Sequence, residues 1–276
     1  MKKGIYLGGL PQGLSIAEQL KLAADAGFDG VEPRIMDAGG DGLVRYDSTA
    51  AELRSVIRMV TDAGLSLCSV MNGGAHIEPY PIVSDDAATR AKGIETVKRQ
   101  IEITAELEAG VLLFVPHWIG DRVPYDLCYQ RTLEALQQLG PVAQAAGVTL
   151  AVENVWNKFL LSPIEFARLI DEANSPAVRA YFDVGNILIV GFPQHWIRIL
   201  GSRIVRLHVK DFNTSIGNGN GFAQLLHGDV NWPAVRQALR DIGYDGWMTA
   251  EVGLLKYFES ESVHDTAIAM DRIIAL

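Results

Sequence analysis

Cysteine is scarce. The chain of 276 residues has two, Cys68 and Cys128, and no CxxC pair. Cys68 lies in an apolar stretch (LSLCSV) and Cys128 at an expected helix start. Two isolated thiols fit reduced, buried or half-buried cysteines in a cytoplasmic protein, and argue against a redox or zinc motif built on paired cysteines. Long apolar runs are also missing. No stretch approaches the ~18 uninterrupted apolar residues of a membrane span, so none is expected. The first residues, MKKGIYLGGLPQG, carry two lysines but only a short apolar run broken by glycines, unlike a secretory signal. There is no run of five like charges, and the net charge is −9. An acidic chain without a basic patch repels nucleic acid and anionic membrane surfaces. No Pro/Ser/Gly-rich linker divides the chain, so a single domain over 1–276 is expected. No GxGxxG opens a helix after the first strand, which weakens a dinucleotide-binding reading.

What is present alternates. Hydrophobic residues make up 49% of the chain, enough to bury a large core. Short apolar runs near 4–8, 29–33, 66–71, 111–115, 148–152, 179–182, 204–209 and 247–251 read as parallel strands buried on both faces. Between them lie stretches of helical periodicity at 15–26, 48–63, 88–109, 126–146, 162–173, 193–200 and 232–242, with 262–275 closing the series. Ser15 with Glu18 makes a capping box, Ser48 opens the second helix, and Ser162 with Pro163 opens the fifth. Five junctions run from a helix through glycine into a strand: AGFDGVE, AGLSLCS, AGVLLFV, AGVTLAVE and IGYDGWMTAE. The repeated unit predicts a (β/α)8 TIM barrel, with a doubly wound open sheet as the alternative. The segment NTSIGNGNG at 213–221 follows a strand and reads as a loop at the barrel mouth.

In such a barrel the strands' C-terminal ends line the active site. Glu32 ends the second run. Asn72 and His76 follow the third, and His117 the fourth. Glu153 and Asn154 end the fifth, Asp183 and then Asn186 the sixth. His208, Lys210 and Asp211 mark the seventh, and Glu251 the eighth. Glu153, Asp183, His208 and Glu251 come from four consecutive strands. Three converging carboxylates repel one another unless a cation neutralises them. Three oxygen ligands and one imidazole suit one divalent ion, Mn²⁺ in first place, with Mg²⁺, Co²⁺ or Zn²⁺ as the others. The bland reading of each residue alone is a helix cap. His76, His117 and Glu32 read equally as structural residues or as substrate contacts, and Lys158 as a solvent lysine or an anion contact. His195, His227 and His264 read as surface residues.

These residues carry a resemblance. GFDGVE at 27–32, AVENV at 151–155, FDVGN at 182–186, IVRLHVKDF at 204–212, GDVNW at 228–232 and GYDGWMTAE at 243–251 resemble the xylose-isomerase-like barrels of sugar and sugar-phosphate isomerases and epimerases. The resemblance implies a ketose 3-epimerase type of site, with metal on Glu153, Asp183, His208 and Glu251. It also implies that Glu153 and Glu251 are the catalytic acid/base pair, moving a proton next to a ketose carbonyl through an enediolate. Glu32, His76, His117, Asn154, Lys158, Asn186 and Lys210 would then contact a small sugar or sugar phosphate. Barrels of this group often form dimers or tetramers. The sequence departs from several epimerases at Asn186, where they have histidine, and in NVWNKF after Glu153, so the identity of the sugar stays open. Two other readings remain: a dehydratase or lyase on an inositol-derived ketone or polyol, and a carbohydrate-binding barrel without activity. DNA cleavage of the apurinic-endonuclease kind would need further ligands where Asn186 and Asp229-Val230-Asn231 stand.

Overall fold

The computed structural model describes residues 1–72, 79–116 and 120–276. Its strands are β1 (Lys2–Tyr6), β2 (Gly30–Glu32), β3 (Ile35–Met36), β4 (Val44–Arg45), β5 (Ser66–Leu67), β6 (Val70–Met71) and β7 (Val111–Phe114). There follow β8 (Thr149–Glu153), β9 (Val178–Asp183), β10 (Ile204–Val209), β11 (Asp211–Phe212), β12 (Phe222–Ala223) and β13 (Trp247–Ala250). The helices are α1 (Ile16–Ala26), α2 (Ala50–Asp62), α3 (Ala87–Glu106), α4 (Tyr125–Ala145), α5 (Pro163–Glu172), α6 (Pro193–Leu200), α7 (Trp232–Asp241) and α8 (Glu259–Ala275).

The described residues group into two compact units. One holds Met1–Pro33, Arg58–Cys68 and Tyr181–Leu276, the other Arg34–Ile57 and Ser69–Ala180. In the first unit the strand order is β5-β2-β1-β13-β10-β9; in the second it is β9-β8-β7-β6. Strand β9 belongs to both, residues 178–180 to the second and 181–183 to the first. The order follows the chain around, as consecutive βα units require. The pairs β1·β2, β1·β13, β10·β13, β6·β7 and β7·β8 are all parallel. Every residue of β7 is buried, and so are four of the five in β8, which explains their continuous apolar spelling.

The five glycine junctions behave as their chemistry demands. Gly27, Gly64, Gly110, Gly147 and Gly243 all have φ between 69° and 88°. That left-handed conformation closes a helix and turns the chain back toward the sheet, and a side chain there would be strained. The Ser15 capping box is formed: Glu18 N–H donates to Ser15 Oγ at 3.4 Å, and Ser15 N–H to Glu18 Oε2 at 2.8 Å. Ser162 caps α5, with Pro163 at its first position.

Two expectations need correcting. The second helix is opened by Thr49, not Ser48. Thr49 N–H donates to Glu52 Oε2 at 2.7 Å and Glu52 N–H to Thr49 Oγ1 at 3.3 Å, whereas the Ser48 hydroxyl is turned to Arg45 N–H at 3.0 Å. The third run, 66–71, is not one strand. β5 pairs with β2, and β6 pairs with β7. Between them the Cys68 carbonyl accepts from the Arg206 guanidinium at 2.8 Å, so this link of the strand bonds to a side chain. The segment 213–221 is flanked by β11 and β12, an antiparallel pair that registers Asp211 with Ala223 and Phe212 with Phe222.

Candidate metal centre

The first unit brings three of the four expected ligands together. Tyr6 is level with Glu32, and Val209 with Ala250, so β1, β2, β10 and β13 finish at one end of the sheet. Asp183 ends β9, His208 sits one residue before the end of β10, and Glu251 follows β13 with its N–H on the Val209 carbonyl at 3.0 Å. One ligand atom from each of Asp183, His208 and Glu251 lies within 4.8 Å of the others. Asp183 and His208 are fully buried and Glu251 is partly exposed. In the second unit Glu153, the fourth expected ligand, ends β8 and is buried.

The imidazole of His208 is fixed from behind. Its Nε2 is 2.7 Å from Glu32 Oε1, and the other Glu32 oxygen accepts from the Tyr181 hydroxyl at 2.8 Å. The Tyr181 ring also lies against the imidazole, with centroids 4.5 Å apart. With its proton on Nε2 facing Glu32, His208 leaves the Nδ1 lone pair on the side of Glu251, whose Oε2 is 3.6 Å away. A carboxylate behind a ligating histidine fixes its tautomer and raises its basicity. Exchanging Glu32 for glutamine removes that anchor. Its expected result is a loss of metal affinity of roughly 10–100-fold, read by titrating the metal-stripped variant.

Asp183 is held at both oxygens. Its Oδ1 accepts from Asn186 N–H at 2.8 Å, and its Oδ2 accepts from the Lys210 ammonium at 2.5 Å. The same ammonium donates to Glu251 Oε2. Burial pushes the Asp183 carboxyl above its ordinary range; Lys210 opposes that push and Glu251 adds to it. Carboxylates gathered where burial penalises their charge call for a cation, so the donor set fits a divalent ion of the oxygen-and-imidazole type.

Asn154 and Asn186 are buried, Lys210 nearly so, and Lys158 is exposed with φ of 61°. His76 and His117 lie outside the described residues. His195, His227 and His264 are exposed, as expected. Two residues escaped the sequence reading. Tyr181 stands two places before Asp183 on β9, and the period of two along a strand was the available signal. Asp211 marks the seventh run in the sequence, but nothing there gives it a role. It is fully buried and accepts four bonds: Phe212 N–H (3.0 Å) and Val230 N–H (3.1 Å) on Oδ1, Leu226 N–H (3.0 Å) and Trp232 Nε1–H (3.0 Å) on Oδ2. A Cβ on Gly228 would come within 2.3 Å of Asp211 Oδ1, which accounts for the glycine of GDVNW.

Residues 20–270 match the family model described as xylose isomerase-like TIM barrel. The chain belongs to that family. Its fold class is therefore the (β/α)8 barrel that the helix–glycine–strand repeat predicts. L-ribulose-5-phosphate 3-epimerase of Shigella flexneri serotype 5b is 27% identical over 244 residues, covering 88% of this chain and 84% of the relative. Among solved structures, D-psicose 3-epimerase from Clostridium cellulolyticum H10, with D-tagatose, superposes with a TM-score of 0.81 at 16% identity, covering 99% of both chains. The 3-keto-D-glucoside 4-epimerase of E. coli does so with a TM-score of 0.77 at 17% identity over the whole of both. At these identities the two structures speak for the fold.

Proposed function

We propose that this family member is a divalent-metal-dependent sugar or sugar-phosphate epimerase that moves a proton on the carbon next to a ketose carbonyl. The observation that carries the reading is the cluster of Asp183, His208 and Glu251 in the first unit, one ligand atom of each within 4.8 Å of the others, to which the proposal adds Glu153 at the end of β8. The relative that acts on L-ribulose 5-phosphate supports the same class of chemistry.

Asp183, His208, Glu153 and Glu251 would hold the ion, with Mn²⁺ first among the candidates. A divalent ion bound there supplies Lewis acidity, which lowers the barrier to removing a proton beside a carbonyl. Asp183 and His208 act as ligands only. Glu153 and Glu251 double as the bases on opposite faces of the substrate carbon. One takes the proton and the other returns one, inverting the centre. Asn154, Lys158 and Asn186 are assigned to the substrate, with His76 and His117, and Lys210 is assigned to Asp183 and Glu251, on whose oxygens its ammonium sits. Glu32 is assigned behind His208 instead, because both of its oxygens already have partners.

The barrel is proposed to work as one domain over residues 1–276 and in the cytoplasm. In support of the latter, Cys68 and Cys128 are both buried thiols, and no described helix is long and apolar enough to cross a membrane. Exposed apolar residues at Leu255, Tyr257, Phe258 and Ile268 support assembly into a dimer or tetramer.

The test is incubation of the Mn²⁺-loaded protein with ketoses and ketose phosphates in D₂O. Deuterium should enter the carbon beside the carbonyl and the epimer should accumulate. Loss of water in place of epimer would make the protein a dehydratase. No exchange with any of them, despite bound metal, would sink the proton-transfer reading.

A further inference from the structure

Lys210 is the cation that the candidate ligand set already contains. Its ammonium meets Asp183 Oδ2 at 2.5 Å and also Glu251 Oε2, so it sits on oxygens from two of the proposed ligands. The other Asp183 oxygen accepts from Asn186 N–H, and Glu251 Oε2 is the very atom 3.6 Å from His208 Nδ1. A divalent ion bound to both His208 Nδ1 and Glu251 Oε2 would share that oxygen with the ammonium.

The side chain is built into that place. The lysine side chain is 10% exposed. Its stem crosses Gly185, where a Cβ would lie 2.5 Å from Lys210 Cγ. Gly185 therefore keeps a channel open for the stem. The Phe222 ring, brought round by the β11·β12 pair, has its centroid 5.2 Å from Nζ. An aromatic face can hold an ammonium that moves off its carboxylates.

We propose that Lys210 is a built-in counter-ion that competes with the divalent metal for Asp183 and Glu251, and so sets how tightly this site holds its metal. The proposal rests on the metal reading above. A competing ammonium lowers apparent metal affinity, because binding the ion must break two charge-assisted hydrogen bonds. It also keeps the carboxylates from repelling one another.

The experiment is titration of metal-stripped wild type, Lys210→Met and Asp183→Asn with Mn²⁺, followed by calorimetry. Wild type should bind one ion and Asp183→Asn should bind it much more weakly. Lys210→Met should bind it at least about tenfold tighter, given the strength of unit charges at this spacing in a partly buried site. Before metal is added Lys210→Met should melt below wild type, and Mn²⁺ should raise its melting temperature by more. Equal or weaker binding by Lys210→Met would overturn the competition and make Lys210 a support for Glu251. If wild type bound no ion, the metal reading itself would fall, and this proposal with it. Should Lys210→Met not fold, acylation of wild-type lysines read by mass spectrometry replaces it. Labelling of Lys210 should rise severalfold on saturation with Mn²⁺ while that of exposed Lys21 stays constant, and no rise would refute displacement.

Discussion

Glu251→Gln is expected to lower kcat for epimerisation by about 10²–10⁴-fold while metal binding is at most weakened. Glutamine keeps a carbonyl oxygen where the ligand oxygen was but cannot take up a proton. The same substitution at Glu153 should cost as much, because inversion needs a base on each face. The two variants should differ in a diagnostic way. A protein with one base left can still remove and return a proton on one face. Each variant should therefore exchange solvent deuterium slowly into one epimer only, and the two variants should choose opposite epimers. Steady-state rates with exchange followed by NMR decide the matter. Full turnover by either variant would refute that glutamate as a base, and exchange into the same epimer by both would refute the two-face arrangement.

Asp211→Asn should produce the largest loss of stability. Four N–H groups converge on this carboxylate, and it is fully buried. An amide replaces one of the two acceptor oxygens with an NH₂, which turns N–H groups toward two of the four donors. One buried donor left without a partner costs about 1–3 kcal/mol, more where the lost acceptor was charged, so a loss of roughly 3 kcal/mol or more is expected. Urea unfolding of metal-stripped and Mn²⁺-loaded protein measures it. A midpoint unchanged within error would show that the segment 226–232 does not depend on this carboxylate.

The sequence made the strands and most helix ends readable because those signals are local. A capping box spans four residues, and a left-handed glycine declares itself where helix meets strand. The candidate ligands stand out in the sequence for a related reason: each lies at or beside the end of an apolar run. What stayed hidden depends on partners distant in the chain. Glu32 is 176 residues from His208, so nothing near it announces that its oxygens face an imidazole. At the break in the third strand the Cys68 carbonyl accepts from Arg206, 138 residues away. Asp211 has no role that the sequence shows; its partner Trp232 lies 21 residues on. Ser48 and Thr49 differ by one position and have the same capping chemistry, so only the fold of the preceding turn chooses between them.

The tetrapeptide His208-Val209-Lys210-Asp211 divides two duties between alternate residues. His208 and Lys210 meet Glu251 on one side, while Asp211 gathers the backbone of 226–230 and the Trp232 indole on another. Inserting or deleting one residue here would exchange the two sides at once. For directed evolution this makes the tetrapeptide a poor target: libraries aimed at a new sugar should leave it intact. Diversity is better placed in 214–220, where every residue is exposed.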